Sequence, residues 1–117
     1  MTKIAANHDA TSYRSRCPIA RTLDLLGDKW SLLILRDALF FDISTFAGFC
    51  ERPERVPTNL LSSRLKKLVA AGLLKKERYQ DRPVRYRYLP TEMARDLIPA
   101  LQAIVSFGKT YLDNPLE

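Results

Sequence analysis

The sequence predicts a mainly α-helical domain carrying one small β-hairpin. Apolar residues recur at helical spacing through four successive stretches before Gly72. Val84, Tyr86 and Tyr88 then alternate with Arg85 and Arg87, the period of a strand with one buried face. Helical spacing returns after Pro90 and continues almost to the end of the chain. At 117 residues, the chain fits one domain with a real but modest core.

Two helices lie in CPIARTLDLLGDKWSLLILRDALF. Pro18 suits a first helical position, Leu23 and Leu26 lie three apart, and Gly27 is expected to end the helix in a left-handed conformation. Asp28 is the expected N-cap of the second helix, whose Trp30, Leu32, Leu33, Ile34 and Leu35 place it at the centre of the core. Trp30 is read as a packing residue.

The stretch FFDISTFAGFCERPERV reads as a turn and a short third helix, capped by Ser44 or Thr45, with Phe46 and Phe49 inward and Cys50 packing. Pro53 and Pro57 punctuate the chain, Thr58 is the expected cap of a fourth helix reaching about Ala71, and Gly72 stops it. LLKKERY and VRYRYL are strands joined by QDRP. In PTEMARDLIPALQAIVSFGKTYL, Thr91 caps a last helix that Pro99 should kink or divide. Its Leu97, Leu101, Ile104, Gly108 and Tyr111 repeat at intervals of four and three, an apolar seam that either completes the domain's own core or exceeds what one small domain can cover. Residues 1–16 are expected to form a flexible arm, 17–112 the single domain, and 113–117 a tail.

The fourth helix has two unlike faces. Leu61, Leu65 and Leu68 fall on one side, whereas Asn59, Ser63, Lys66 and Lys67 fall on the other with Ser62 at its edge, and that side has no acidic residue. The charge is concentrated around it. Residues 52–88 hold eleven Lys and Arg against Glu54, Glu77 and Asp81, a net +8, while the rest of the chain is −2. Such an asymmetry suggests a polyanionic partner.

Other classes find little support. No apolar run approaches a membrane span, and the N-terminus lacks an apolar signal region, which predicts a cytoplasmic protein with no membrane partner. Two cysteines and the single His8 make neither a disulfide scaffold nor a metal site. No Gly-rich phosphate loop or glycine-elbow serine is present, so neither cofactor nor catalytic residue is expected.

The third and fourth helices have the plan of a helix-turn-helix, and the hairpin behind them supplies a wing. In that plan the second helix enters the major groove of double-stranded DNA with its N-terminal residues at base edges. Asn59, Ser62 and Ser63 stand there; an Asn amide can pair bidentately with adenine, and a hydroxyl with several bases. Lys66 and Lys67 suit phosphates, as do the first peptide groups around Thr58. Arg82 lies at the wing tip, with Arg78 and Arg85 on its strands, placed for phosphates or the minor groove. The alternative is a winged-helix interaction module that presents its basic face to an acidic protein.

CPIARTLDLLGDKWSLLILRD, TFAGFCERPERVPTNLLSSRLKKLVAAGLL, Tyr79 followed by RPVRYRY, and TEMARDLIPAL together resemble the HxlR-type winged-helix transcriptional regulators, relatives of the MarR group. The resemblance runs from Cys17 to Leu112. It implies a homodimeric regulator whose terminal helices build the dimer interface and whose sites are approximately palindromic. Cys17 matches a position where many family members carry a cysteine, which in several senses oxidants, quinones or aldehydes; Arg14, Arg16 and Arg21 are near it in sequence. The chain departs from the family pattern at Asp42 and Ile43 before the third helix, at Pro90, Thr91 and Ala94 after the wing, and at Phe107, where a tryptophan is frequent. The resemblance leaves the effector, if any, unspecified.

Overall fold

The computed structural model describes residues 13–112. The expected tail, His8 and most of the expected arm lie outside the described residues. The elements follow in the order α1 (Pro18–Leu26), α2 (Ser31–Phe40), α3 (Phe46–Cys50), α4 (Thr58–Ala70), β1 (Leu74–Asp81), β2 (Val84–Pro90), α5 (Glu92–Arg95) and α6 (Ile98–Tyr111). This is the mainly α architecture with one antiparallel hairpin that the sequence predicts.

The core forms where α2 meets α3, α4 and the start of the hairpin. Ile34, Leu35 and Ala38 from α2 join Phe49, then Leu61, Leu65 and Leu68 from α4, and finally Leu73, Leu74 and Ala94. Trp30 packs against the edge of this cluster, as expected. Leu65 is 1% exposed, so truncating it to alanine would cost about 2–5 kcal/mol of stability.

Local chemistry explains the element ends, and three expectations need correction there. Gly27 ends α1 at φ −79°, not left-handed; it is needed because a Cβ would lie 2.5 Å from the Leu23 carbonyl oxygen. Thr58 is the first residue of α4 rather than its cap, a position taken by Pro57, whose missing N–H costs a helix start nothing. Phe46, on the first turn of α3, is 38% exposed and only Phe49 of the pair is buried. Thr45 does cap α3, its hydroxyl accepting from the Gly48 N–H, and Gly72 takes the left-handed φ of 85°.

Asp28 caps α2 from one turn earlier than the helix begins. Its carboxylate accepts from the N–H groups of Trp30 and Ser31 and from the Ser31 hydroxyl at 2.6 Å. Behind α2, the buried Asp37 meets Arg36 at 2.8 Å and Arg52 at 3.1 Å, and Arg36 grips Glu54 through both terminal nitrogens. These pairs tie the segment between α3 and α4 to α2. The Arg36 bonds hold the Glu54 carboxyl down to about 2 despite the opposing effect of burial.

The hairpin pairs Lys76 with Tyr88 and Arg78 with Tyr86, then slips register between Arg78 and Gln80, leaving Tyr79 as the extra residue of a bulge. The half-buried alternation expected along the second strand is not found. Tyr88, Leu89 and Pro90 are partly buried, but Val84, Arg85, Tyr86 and Arg87 are all exposed, because the tip extends past the last helix able to cover it. The Tyr88 N–H donates to the Ser44 carbonyl at 2.7 Å, fixing the wing's base to the segment before α3. Beyond the wing, Thr91 caps α5 and Pro99 sits in the first turn of α6, so the proline divides the predicted last helix.

Candidate nucleic-acid interface

α4 is held by Leu61, Leu65 and Leu68, all 1% exposed or less. That anchoring turns Thr58, Asn59, Ser62, Ser63 and Lys66 into solvent and leaves Lys67 half-buried at the margin. At 100° per residue, Asn59, Ser62, Ser63 and Lys66 share an arc of about 100°. Among the described residues, no hydrogen bond or ion pair within the chain occupies the side chains of Asn59, Ser62, Lys66 or Lys67. The Ser63 hydroxyl accepts only a long bond, 3.3 Å, from Arg64.

Arg64 serves the fold instead. Its Nε donates to Asp28 at 2.9 Å, joining the flank of α4 to the start of α2. Burial pushes the Asp28 carboxyl up, but bonds from the Ser31 hydroxyl, the Trp30 N–H, Arg64 and the Ser31 N–H outweigh it and hold the group down to about 2. Arg36, Arg52 and Arg64 are therefore all neutralised by carboxylates, whereas the outward cations of α4 are not.

The wing distributes its predicted contacts over more than one surface. Alternation along β1 and β2 sets Lys76, Arg78, Tyr86 and Tyr88 on one face and Lys75, Glu77, Arg85 and Arg87 on the other. Arg78 thus shares a face with the tyrosines and meets Asp81 at 3.4 Å, Arg82 stands exposed in the turn, and Arg85 projects from the opposite face. A groove between α4 and the wing is lined by Ser62, Lys66, Val69, Lys76 and Tyr88, which places Lys76 beside the α4 residues. Lys76 was not among the residues singled out by sequence. The signal that could have found it is the strand register, which sets Lys76 across from Tyr88 and diagonal to Tyr86.

Thr58 lies in the first turn of α4, where backbone N–H groups have no intrahelical partner and can meet a phosphate. Cys17 is exposed at the N-cap of α1, its N–H donating to the Ser15 hydroxyl at 3.1 Å. Two of its expected cationic neighbours are engaged elsewhere. Arg14 binds Asp24 and the Ala20 carbonyl, while Arg21 donates to the Ser15 carbonyl and lies over the Tyr13 ring.

The apolar seam of the last helix splits between inside and outside. Leu97 packs on the core and Leu101 is 6% exposed, so both belong to the body of the protomer. Ile104 and Tyr111 are exposed, Gly108 lies half-buried between them, and Val105 and Phe107, outside the predicted seam, are exposed as well. α1 adds Ile19 and Leu23 to the molecule's uncovered apolar surface. Among the described residues, no helix is long and apolar enough to cross a membrane.

Known proteins are similar to this chain in sequence and architecture. The HxlR-like helix-turn-helix family model matches residues 25–115. HTH-type transcriptional regulators of Mycobacterium bovis and Mycobacterium tuberculosis are 41% identical over 97 residues, covering 83% of this chain. The chain spans 60% of the length of those relatives. Among solved structures, the transcription factor PA1607 is similar with a TM-score of 0.79 and 36% identity, over 89% of this chain and 71% of that one. The redox regulator HypR in its reduced form gives a TM-score of 0.74 at 26% identity, over 83% of this chain and 95% of that one. The chain belongs to the HxlR-like helix-turn-helix family and has its winged-helix fold.

Proposed function

We propose that this chain is a sequence-specific regulator that binds a pseudo-palindromic operator in double-stranded DNA as a homodimer. α4 enters the major groove, with Asn59, Ser62 and Ser63 at base edges and Lys66 and Lys67 toward phosphates. Thr58 marks the peptide groups that meet the backbone, and Arg78, Arg82 and Arg85 carry the wing's contacts. The observation that carries this reading is the acid-free face of α4, whose lysines have no ion pair among the described residues, beside arginines that are neutralised. An acidic protein partner would be better served by apolar anchors within that face, and the exposed arc holds polar and basic groups instead.

The second copy is proposed to cover Ile104, Phe107 and Tyr111, together with the exposed side of α1. Two protomers would then set two α4 helices about one DNA turn apart, roughly 34 Å, which makes the preferred site palindromic. Oxidant or electrophile control would act at Cys17, which is exposed on α1 and therefore within reach of both solvent and the proposed interface. The similarity to HypR, itself a redox regulator, supports that part of the reading.

Selection from random duplex DNA by the purified chain tests the proposal, first under reducing conditions and then after a mild thiol oxidant. Enrichment of a palindrome is expected. Salt-sensitive retention with no enriched motif would instead indicate general nucleic-acid binding. If oxidation changes retention of the wild type, Cys17→Ser should abolish that change; an identical response in the variant removes Cys17 from the mechanism.

A further inference from the structure

The adjacent lysines of β1, Lys75 and Lys76, meet opposite fates. Lys75 points to the face away from α4 and pairs with the Glu77 carboxylate at 3.3 Å. Lys76 points to the α4 side and has no carboxylate partner among the described residues. Its ammonium instead lies 4.4 Å from the centroid of the Tyr86 ring and 6.0 Å from that of Tyr88. The two seats differ in consequence. A carboxylate cancels the charge that it positions, whereas an aromatic face holds an ammonium by its quadrupole and leaves the net charge available to an anion.

Lys76 also lines the groove between α4 and the wing, a space of about 230 Å³. The opposite wall supplies Lys66 and Ser62, Val69 and Tyr88 complete the lining, and no acidic residue takes part. Two lysines and one serine thus line a single recess, their side chains free of an intramolecular ion pair or hydrogen bond among the described residues. Both lysines come from rigid elements. Lys66 follows the buried Leu65 on α4, and Lys76 lies in the paired base of the hairpin.

We propose that this recess is a phosphodiester notch, in which one backbone phosphate of each DNA half-site sits between Lys66 and Lys76. The inference rests on the DNA-binding reading above and adds a site at the base of the wing to those expected on α4 and at the wing tip. One phosphate held between helix and hairpin fixes the height of α4 in the groove. Arg82, at the far end of the hairpin, then reaches the flanking backbone from a defined anchor.

The test uses the full chain and the duplex enriched by selection, with individual phosphates replaced by uncharged methylphosphonates. Lys76→Met and Lys75→Met are compared with wild type, since both variants lose one charge and keep an apolar stem. Lys76→Met should lower the salt slope by about 0.9 per protomer and weaken binding by roughly fivefold or more at moderate salt. Lys75→Met should do much less. In wild type, one neutralised phosphate per half-site should weaken binding, and that effect should vanish in Lys76→Met. Equal effects of the two variants, or a phosphate scan unchanged by Lys76→Met, would overturn the notch while leaving DNA binding intact. A wild-type chain that binds no duplex would overturn the DNA reading and the notch with it. Matching thermal midpoints for both variants and wild type would show that the comparison concerns binding rather than folding.

Discussion

α4 and α6 are helices of 13 and 14 residues, and each has one side on the body and the other in solvent. Their open sides differ in kind. That of α4 displays Asn59, Ser62, Ser63 and Lys66, groups that water solvates well until a polyanion displaces it. That of α6 displays Ile104, Val105, Phe107 and Tyr111, with the Phe107 and Tyr111 rings tilted at 47° to each other and their centroids 5.2 Å apart. Each square ångström of that surface left in water forgoes roughly 25 cal/mol. An open polar face is stable alone and specifies a ligand, whereas an open apolar face is a standing cost that a second copy would remove. In the proposed function, one short chain would thereby separate recognition from assembly.

The most disruptive way to break that division is to charge the apolar side. Ile104→Asp should raise the dissociation constant of the proposed homodimer on the order of 100-fold or more, since buried central anchors dominate such interfaces. DNA affinity would fall with it, and sedimentation at a series of concentrations reads the first effect directly. Retention of a dimer by this variant would place the interface elsewhere.

A smaller change should follow on the polar side. Asn59→Ala is expected to cost about 1–3 kcal/mol on the preferred duplex and to flatten preference at one base position per half-site. Its salt slope should match wild type, because the amide contacts no phosphate. An unchanged preference would remove Asn59 from base reading.

Between the two faces stands Asp28, which tests whether Arg64 belongs to the scaffold. Its carboxyl is held near 2, below the usual 3.8, so its contribution is complete above pH 4 and disappears as pH falls through 2. Asp28→Asn should cost about 1–2 kcal/mol at neutral pH through the lost cap and ion pair. Denaturant melts should show the gap between variant and wild type closing between pH 4 and pH 2. A gap independent of pH would mean that the ionised carboxylate contributes nothing.

The least effect is expected from the wing tip. Arg82→Ala should reduce the salt slope by about 0.9 per protomer and weaken all sequences alike by less than about 1 kcal/mol at moderate salt. A change in base preference would instead assign Arg82 to groove reading.

The same comparison explains what could be read from sequence. α4 was legible because its period and its terminal Gly72 lie close together and its buried face is Leu61, Leu65 and Leu68, although the cap proved to be Pro57 and not Thr58. α6 was half legible. Spacing identified the seam, but it could not say that Leu97 and Leu101 turn toward the protomer while Phe107 turns out, since that depends on where Pro99 starts the helix and how α2 receives it.

Features built across distant residues were not legible at all. Arg36 and Glu54 are 18 residues apart, and Arg64 and Asp28 are 36 apart, so no local pattern announces either pair. A cleft of about 600 Å³ on the rear of the wing, lined by Leu39, Ile43, Lys75, Leu89 and Arg95 among others, draws on α2, both strands, α5, α6 and the segment before α3. Lys76 lay between these limits. Its tyrosine seat follows from register, yet a bulge at Tyr79 makes counting back from the turn unreliable.

The division of labour between α4 and α6 is tested most directly by native mass spectrometry of the chain with the duplex enriched by selection. The expected result is a dimer in the absence of DNA and two copies per duplex, with Asn59→Ala keeping that stoichiometry while losing its preference for the selected sequence. A wild-type monomer that binds one copy per duplex with full preference would contradict the account.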